Sequence, residues 1–176
     1  ELREREILFE KPPPQAGSRR ECIFKHALVR DAAYGTILTR RRRQIHRRAA
    51  EALDRSLGEE RGAFLAVLGH HWHQAGVIGK ARASYLGAAR TAVARYAHEE
   101  AEQLFRLHLS LYEGPAADAV AARNELGKAV LRVRGRMAEA LEEHGRALDE
   151  ARALKDAAAE AASLRELGVV HQNTGR

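Results

Sequence analysis

Apolar and polar residues follow two different patterns, one before and one after residue 25. Ile7-Leu8-Phe9 and Cys22-Ile23-Phe24 are short apolar runs, and the stretch between them contains three of the four prolines. Two such runs on either side of turn-forming residues are typical of two β-strands joined by a loop. The pattern therefore predicts a β-hairpin within residues 1–24, and we expect no other sheet.

After His26 the apolar residues recur three or four positions apart, which is the spacing of amphipathic helices. One stripe runs through residues 27–38 and a second through residues 45–57. Further periodic stretches predict helices at about 60–75, 79–95, 97–112, 116–134, 136–154 and from about 157 to the end. Gly76, Gly114-Pro115 and Gly135 fall in the short gaps, and short gaps make consecutive helices antiparallel.

Part of this region carries a recognisable repeat. Seven residues fall at relative positions 4, 7, 8, 11, 20, 24 and 27 of a 34-residue unit, namely Leu65, Leu68, Gly69, Trp72, Ala81, Tyr85 and Ala88. The small residues Gly69, Ala81 and Ala88 allow two helices to approach closely. Trp72 and Tyr85 are large enough to fill the space between them.

This spacing resembles the tetratricopeptide repeat (TPR). The resemblance implies an all-α fold, a right-handed α-α superhelix of TPR-like hairpins, with a concave groove that binds protein or peptide partners. Weaker copies of the pattern follow at Ala101, Phe105, Leu126-Gly127, Ala140, Ala147, Leu164 and Leu167-Gly168. In the copy that begins at Leu126-Gly127, we place one extra residue between the two helices, and His144 stands where an aromatic residue is usual.

A second resemblance covers residues 20–58. Residues 24–34, followed by Arg43, His46 and residues 49–53, are similar to a segment of bacterial STAND-type signalling ATPases. In that family the segment lies between a winged-helix part and a TPR array, and a cyclase, kinase or DNA-binding output domain often lies at one end. The resemblance implies three domains: residues 1–24 as a β-hairpin ending a winged-helix segment, 25–58 as a basic helical linker, and 59–176 as TPR-like repeats.

The same segment also looks like the Met-His-Asp motif of related ATPases, whose histidine contacts the ADP β-phosphate. His26 matches that histidine, and Ala27 stands in place of the aspartate. The resemblance therefore implies nucleotide sensing by His26 in an intact parent protein.

The repeat frame selects candidate partner-binding residues on the inner faces of three helices. These are His70, His73 and Gln74 on the first, Asn124, Lys128 and Arg132 on the second, and Arg165, Gln172 and Asn173 on the third. Such donors would form charge-assisted bonds to an acidic or C-terminal peptide, while a hydrated concave face remains the alternative. His70 and His73 share a helix face, but two imidazoles do not complete a metal site, so we expect no metal.

Charge is concentrated near the N-terminus. Residues 1–58 contain 14 Lys and Arg against 8 Asp and Glu, whereas residues 59–176 contain 16 of each. Arg40-Arg41-Arg42-Arg43 with Arg47 and Arg48 could bind nucleic acid or an anionic lipid surface. Adjacent arginines point around most of a helix, however, and no aromatic residues lie among them to stack on bases. We therefore favour a solvated or acid-paired helix face and keep nucleic-acid binding as the alternative function.

Composition excludes several other classes. No stretch approaches the ~20 apolar residues of a membrane span, and no signal peptide is evident. The single cysteine, Cys22, rules out an intramolecular disulfide and favours a reducing, cytoplasmic location. Gly76 to Lys80 lacks the spacing of a phosphate-binding loop, and motifs for a nucleophile elbow or zinc protease are absent.

The sequence therefore predicts a non-catalytic protein–protein interaction scaffold, the regulatory TPR segment of a larger signalling ATPase. Its partner would be a protein or peptide, or another domain of the parent chain. We expect no enzyme activity, no cofactor and no membrane contact, and we rank a nucleic-acid partner below a protein or peptide.

Overall fold

A computed structural model describes residues 8–11, 21–56 and 61–174 of the chain. This part contains two β-strands, Leu8–Lys11 (β1) and Glu21–Phe24 (β2). Its α-helices are α1 (Ala27–Thr36), α2 (Thr39–Ser56), α3 (Arg61–Gln74), α4 (Ile78–Ala94), α5 (His98–Leu109), α6 (Ala117–Leu126), α7 (Met137–Leu154) and α8 (Ala157–Asn173). A π-helical segment, Gly127–Leu131, continues α6. The chain divides into two compact units, Glu1–Gln44 and Ile45–Arg176.

The first unit contains the predicted hairpin. Strands β1 and β2 pair antiparallel, with Leu8 opposite Phe24 and Lys11 opposite Glu21. The proline-rich loop predicted between them lies outside the described residues. Helix α1 follows β2, and none of its described residues is buried.

The second unit is an array of consecutive helices joined by short turns. Helix α3 packs on α4, α4 on α5, α6 on α7 and α7 on α8. The core is rich in alanine, including Ala81, Ala89 and Ala92, and contains the large side chains of Trp72 and Phe105. This confirms the all-α fold class, because small residues on facing helices allow the close packing of helical hairpins that the repeat predicts. Across the described residues, no helix is long and apolar enough to cross a membrane.

Glycine positions define the contact between paired helices. A Cβ atom on Gly69 of α3 would lie 2.6 Å from Cδ1 of Tyr85 on α4. The next such pair joins Gly127 to His144 of α7, again at 2.6 Å. The side chain of His144 therefore occupies the place that the aromatic ring of Tyr85 occupies in the first hairpin, as the sequence predicts.

The hairpin of α6 and α7 contains one residue more than the hairpin of α3 and α4. The sequence pattern places this extra residue between the two helices, and that prediction is wrong because the residue lies inside a helix. The turn glycines Gly76 and Gly135, with φ of 76° and 73°, each precede the contacting ring by nine residues. From Gly69 to Gly76 there are seven residues, whereas from Gly127 to Gly135 there are eight. The π-helical segment contains the difference, since Arg132 N donates to Gly127 O at 2.9 Å across five residues.

Candidate functional site

Three of the six partner-binding residues predicted on the second and third helices of the repeat frame surround one carboxylate. Glu166 of α8 lies 3.9 Å from Lys128 Nζ, 3.5 Å from a guanidinium nitrogen of Arg132 and 3.6 Å from one of Arg165. The Glu166 side chain is 7% exposed, while those of Lys128 and Arg165 are 57% and 70% exposed. Three cations and one anion leave this surface positively charged. We call Lys128, Arg132, Arg165 and Glu166 the basic surface.

Asn124, a further predicted binding residue, instead joins three helices internally. Its Nδ2 donates to Ser163 Oγ at 2.9 Å, and its Oδ1 lies 2.9 Å from Nδ1 of His144. Because the Asn124 oxygen accepts, Nδ1 of His144 carries the hydrogen. Burial lowers the pKa of His144, so this ring is neutral at pH 7. The amide of Asn124 therefore stabilises the packing of α6 against α7 and α8.

The remaining predicted residues lie in two other places. Gln172 and Asn173 are exposed at the end of α8, and Gln74 is exposed at the end of α3. His70 and His73, which the repeat frame places on one face, contact different helices. The ring of His70 lies 5.7 Å from that of His46 on α2, whereas the ring of His73 lies 6.2 Å from that of Tyr85 on α4.

His46 is a functional candidate that sequence reasoning missed. Its Nδ1 lies 2.8 Å from Nδ1 of His71, which is 25 residues later in the chain. No local motif connects these positions, because their contact depends on how α2 packs against α3. Among the described residues, no group of three His, Cys, Asp or Glu side chains is suited to hold a metal ion.

An ion-pair network connects α5 to the residues between α6 and α7. The carboxylate of Glu102 contacts Arg106 at 2.9 Å, Arg134 at 3.3 Å and Arg136 at 2.5 Å. Burial alone would raise the pKa of Glu102, but hydrogen bonds from Arg136 and Arg106 outweigh it and lower the pKa. The ionised carboxylate of Glu102 therefore connects α5 to the segment between α6 and α7 through ion pairs.

The arginines of α2 have different environments. Arg40, Arg41, Arg43 and Arg48 are exposed. The guanidinium of Arg42 lies 5.2 Å from the centre of the Tyr34 ring, and Arg47 forms an ion pair with Glu51 at 3.1 Å. The helix is therefore partly acid-paired and partly solvated.

His26, the predicted nucleotide sensor, is the residue immediately before α1. Its backbone is extended, with φ of −127° and ψ of 128°, and its exposed side chain makes no capping hydrogen bond. The structure thus gives this side chain no role in starting the helix.

Comparisons with known proteins give limited matches. No protein-family model matches the chain. An uncharacterized protein from Rhizobium meliloti (strain 1021) is 27% identical over 88 residues, which is 50% of this chain and 9% of that protein. The chain therefore corresponds to a small fraction of the length of this curated relative.

Two of the solved structures that match come from one protein. One contains the nearly identical TPR-like repeats of a Podosopora anserina kinesin light chain-like protein, with a TM-score of 0.48 and 19% identity over 86% of this chain and 90% of that chain. The other is a single-substitution variant of that protein, with a TM-score of 0.48 and 18% identity over 84% of this chain and 82% of that chain.

Proposed function

We propose that this chain is a non-catalytic protein-interaction scaffold whose basic surface binds an acidic peptide segment. The observation that carries the proposal is the arrangement of Lys128, Arg132 and Arg165, which approach one carboxylate from two helices. Separations of 3.5–3.9 Å are longer than strong charge-assisted hydrogen bonds. Donor groups of these cations therefore remain available to a second carboxylate.

The proposed partner is a protein or peptide with clustered carboxylates, supplied by another chain or by another domain of a parent protein. The resemblance to STAND-type ATPases supports a regulatory role in such a parent. The match to a small part of a much longer protein is consistent with it. Binding at the repeats would then change the activity of an output domain.

Nucleotide sensing by His26 belongs to the same proposal for a parent ATPase. The side chain is exposed and does not cap α1, so His26→Ala should leave the fold of this chain unchanged. In the full-length parent, the same substitution should alter the rate of nucleotide exchange. An unchanged exchange rate there would remove the sensor from the proposal.

Fluorescence anisotropy with a labelled acidic peptide tests the partner class. Replacing Lys128 and Arg165 together by Ala should weaken binding at least about tenfold, since each charge-assisted hydrogen bond contributes roughly 1.5–3 kcal/mol. The wild-type chain should bind a peptide with Gln and Asn in place of Glu and Asp no more tightly than the double variant binds the acidic peptide. Equal affinity of the wild-type chain for both peptides would refute the proposal.

A double variant on α2, Arg43→Ala with Arg48→Ala, is the matched control because it removes the same charge from exposed positions elsewhere. It should bind the acidic peptide like the wild type. The alternative function, nucleic-acid binding through α2, predicts tight binding to random-sequence DNA at ~150 mM salt, with a steep salt dependence of roughly 0.9 per phosphate contact. If the wild-type chain binds DNA in this way and the α2 variant does not, nucleic-acid binding replaces peptide binding as the proposed function.

A further inference from the structure

Three imidazole rings from two helices meet beside the first hairpin of the second unit. The ring of His46 on α2 lies 5.1 Å from that of His71 and 5.7 Å from that of His70, both on α3. The His70 and His71 rings are 5.6 Å apart. His46 is buried, and its Nδ1 lies at hydrogen-bond distance, 2.8 Å, from Nδ1 of His71.

A hydrogen bond between two imidazole nitrogens requires one donor and one acceptor. One of the two Nδ1 atoms must therefore be unprotonated. If both rings become imidazolium, two N–H groups point at each other and two like charges lie side by side, next to His70. The observed contact between His46 and His71 is thus compatible with at most one imidazolium.

The described part of α2 also contacts the core of the repeats through apolar side chains. Ala50 is fully buried in the core, and Leu53 packs against the core from a partly buried position. Alanine and one leucine bury a modest apolar area. The hydrogen bond between His46 and His71 adds a buried polar contact between α2 and α3 to these apolar ones.

His70 is the titratable group that contacts both rings of the pair. The same three helices also carry Arg47, Glu51, Asp54 and Arg55 on α2, His73 on α3 and Lys80 on α4. Glu51, Asp54, Arg55 and Lys80 line one cleft between α2 and α4. Burial, and then the charge of His70, lower the pKa of His46. Burial, and then the charges of His46 and His70, lower the pKa of His71.

We propose that His46 and His71 form a pH-sensitive latch that holds α2 against the repeats at neutral pH and releases it under mild acid. This latch does not depend on the proposed peptide binding. A histidine whose pKa is lower in the folded state takes up protons on release. Attachment is therefore complete above the ordinary histidine pKa of about 6.5 and weakens as the pH falls below it.

Hydrogen exchange of the whole chain, measured by mass spectrometry and corrected for the intrinsic rate, tests the latch. Protection of amides in residues 46–54 should fall at least about tenfold relative to α7 between about pH 7.5 and pH 5.5. The comparison with α7 is needed because His108 and His144 are also buried, and protonating them affects the rest of the repeats. Protection in α2 that falls no more than in α7 would overturn the proposal.

Variants separate the latch from a general acid effect. In His46→Gln with His71→Gln, two amides can keep a hydrogen bond that does not titrate, so α2 protection should become independent of pH. His171→Gln, at an exposed histidine of α8, should keep the wild-type response. A wild-type response in the double variant would overturn the latch, as would a response that EDTA removes and Zn²⁺ restores.

Nuclear magnetic resonance of the histidine rings in the wild-type chain keeps the latch testable if the double variant does not fold. The Cε1–H resonances of His46 and His71 should titrate as a coupled pair, with both apparent pKa values below that of an exposed histidine. Independent titration of both rings at the ordinary histidine pKa would refute the latch.

Discussion

Gly127 lies directly against the ring of His144, and a Cβ atom there would be 2.6 Å from both Cε1 and Nε2 of that ring. The ring is fully buried and oriented by Asn124, so it has little freedom to move away. Overpacking of this kind costs about 1–3 kcal/mol, against a helix-propensity gain of up to about 1 kcal/mol. We expect Gly127→Ala to lower the free energy of unfolding, measured by urea denaturation.

Gly145→Ala is the control for that substitution. Gly145 lies on α7 next to His144, but a Cβ atom there would meet nothing within 4 Å. This variant should gain about 0.5–1 kcal/mol from the better helix propensity of alanine. If the two variants have the same stability, the contact between Gly127 and His144 does not limit the approach of α6 to α7.

Truncating Trp72 tests the core of the first hairpin. Its side chain is 3% exposed, and the Lys80 Nζ lies 4.2 Å from the ring centre. Trp72→Ala should lower the unfolding free energy by about 3–5 kcal/mol, since it leaves a cavity. Phe64→Ala, on the same helix but 38% exposed, should cost less. A loss below about 1 kcal/mol for Trp72→Ala would contradict the placement of Trp72 in the core.

Enlarging Ala81 tests how closely α3 and α4 approach. Ala81 is fully buried, so Ala81→Leu should overpack the hairpin and lower the unfolding free energy by about 1–3 kcal/mol. Ala83→Leu adds the same side chain at an exposed position of α4 and should change stability by no more than about 0.5 kcal/mol. Thermal or urea unfolding compares the two variants directly, and equal stabilities would show that the helices do not touch at Ala81.

Removing the charge of Glu102 tests the ion pairs that connect α5 to the segment between α6 and α7. Its side chain is 13% exposed and contacts three arginines, so Glu102→Gln should cost about 1–3 kcal/mol in low salt. The exposed pair of Glu142 with Arg146 provides the control, and Glu142→Gln should cost about 0–1 kcal/mol. Repeating the urea titration in high salt should reduce both effects, and a Glu102→Gln cost no larger than that of the control would show that the network adds little.

Acid should weaken the whole repeat array, apart from any release of α2. Burial is the main cause that lowers the pKa values of His108 and His144. Because the unfolded chain then binds more protons than the folded chain, the unfolding free energy should fall as the pH drops below about 6.5. Urea titrations across that range measure it, and constant stability would mean that these rings are not buried as neutral groups.

Contacts within one hairpin could be predicted from the sequence, whereas contacts between more distant helices could not. Gly69 and Tyr85 are joined by a short turn, so the repeat spacing alone places them together. The contacts of His46 with His71 and of Glu166 with Arg132 depend on the angles at which helices far apart in the sequence pack. Spacing carries no information on those angles.

The basic surface shows the same limit at a single site. The repeat frame places Lys128 and Arg132 on the inner face of one helix and Arg165 on that of another, and the structure brings all three beside one carboxylate. The spacing does not predict that Glu166 of α8 lies among them. Glu166 follows Arg165 directly in the sequence, where a charged residue is usually solvent-exposed. The repeat frame predicts that Asn124 binds a partner, but its amide forms hydrogen bonds with Ser163 and His144 on neighbouring helices. The repeat spacing does not show that these side chains lie within reach of it.

The π-helical segment Gly127–Leu131 has a consequence for how repeats of this chain should be aligned with one another. An extra residue in a loop would leave the rotational phase of both flanking helices unchanged. One more residue in a regular α-helix would rotate the side chains that follow it by about 100°. The wide π-helical turn takes up the extra residue instead, so Gly127 and Gly135 keep the relation to His144 that Gly69 and Gly76 have to Tyr85. The gap in an alignment of the two hairpins therefore belongs within Gly127–Leu131, and an alignment that opens it at the turn would pair residues 132–134 with the wrong residues of α3 and its turn.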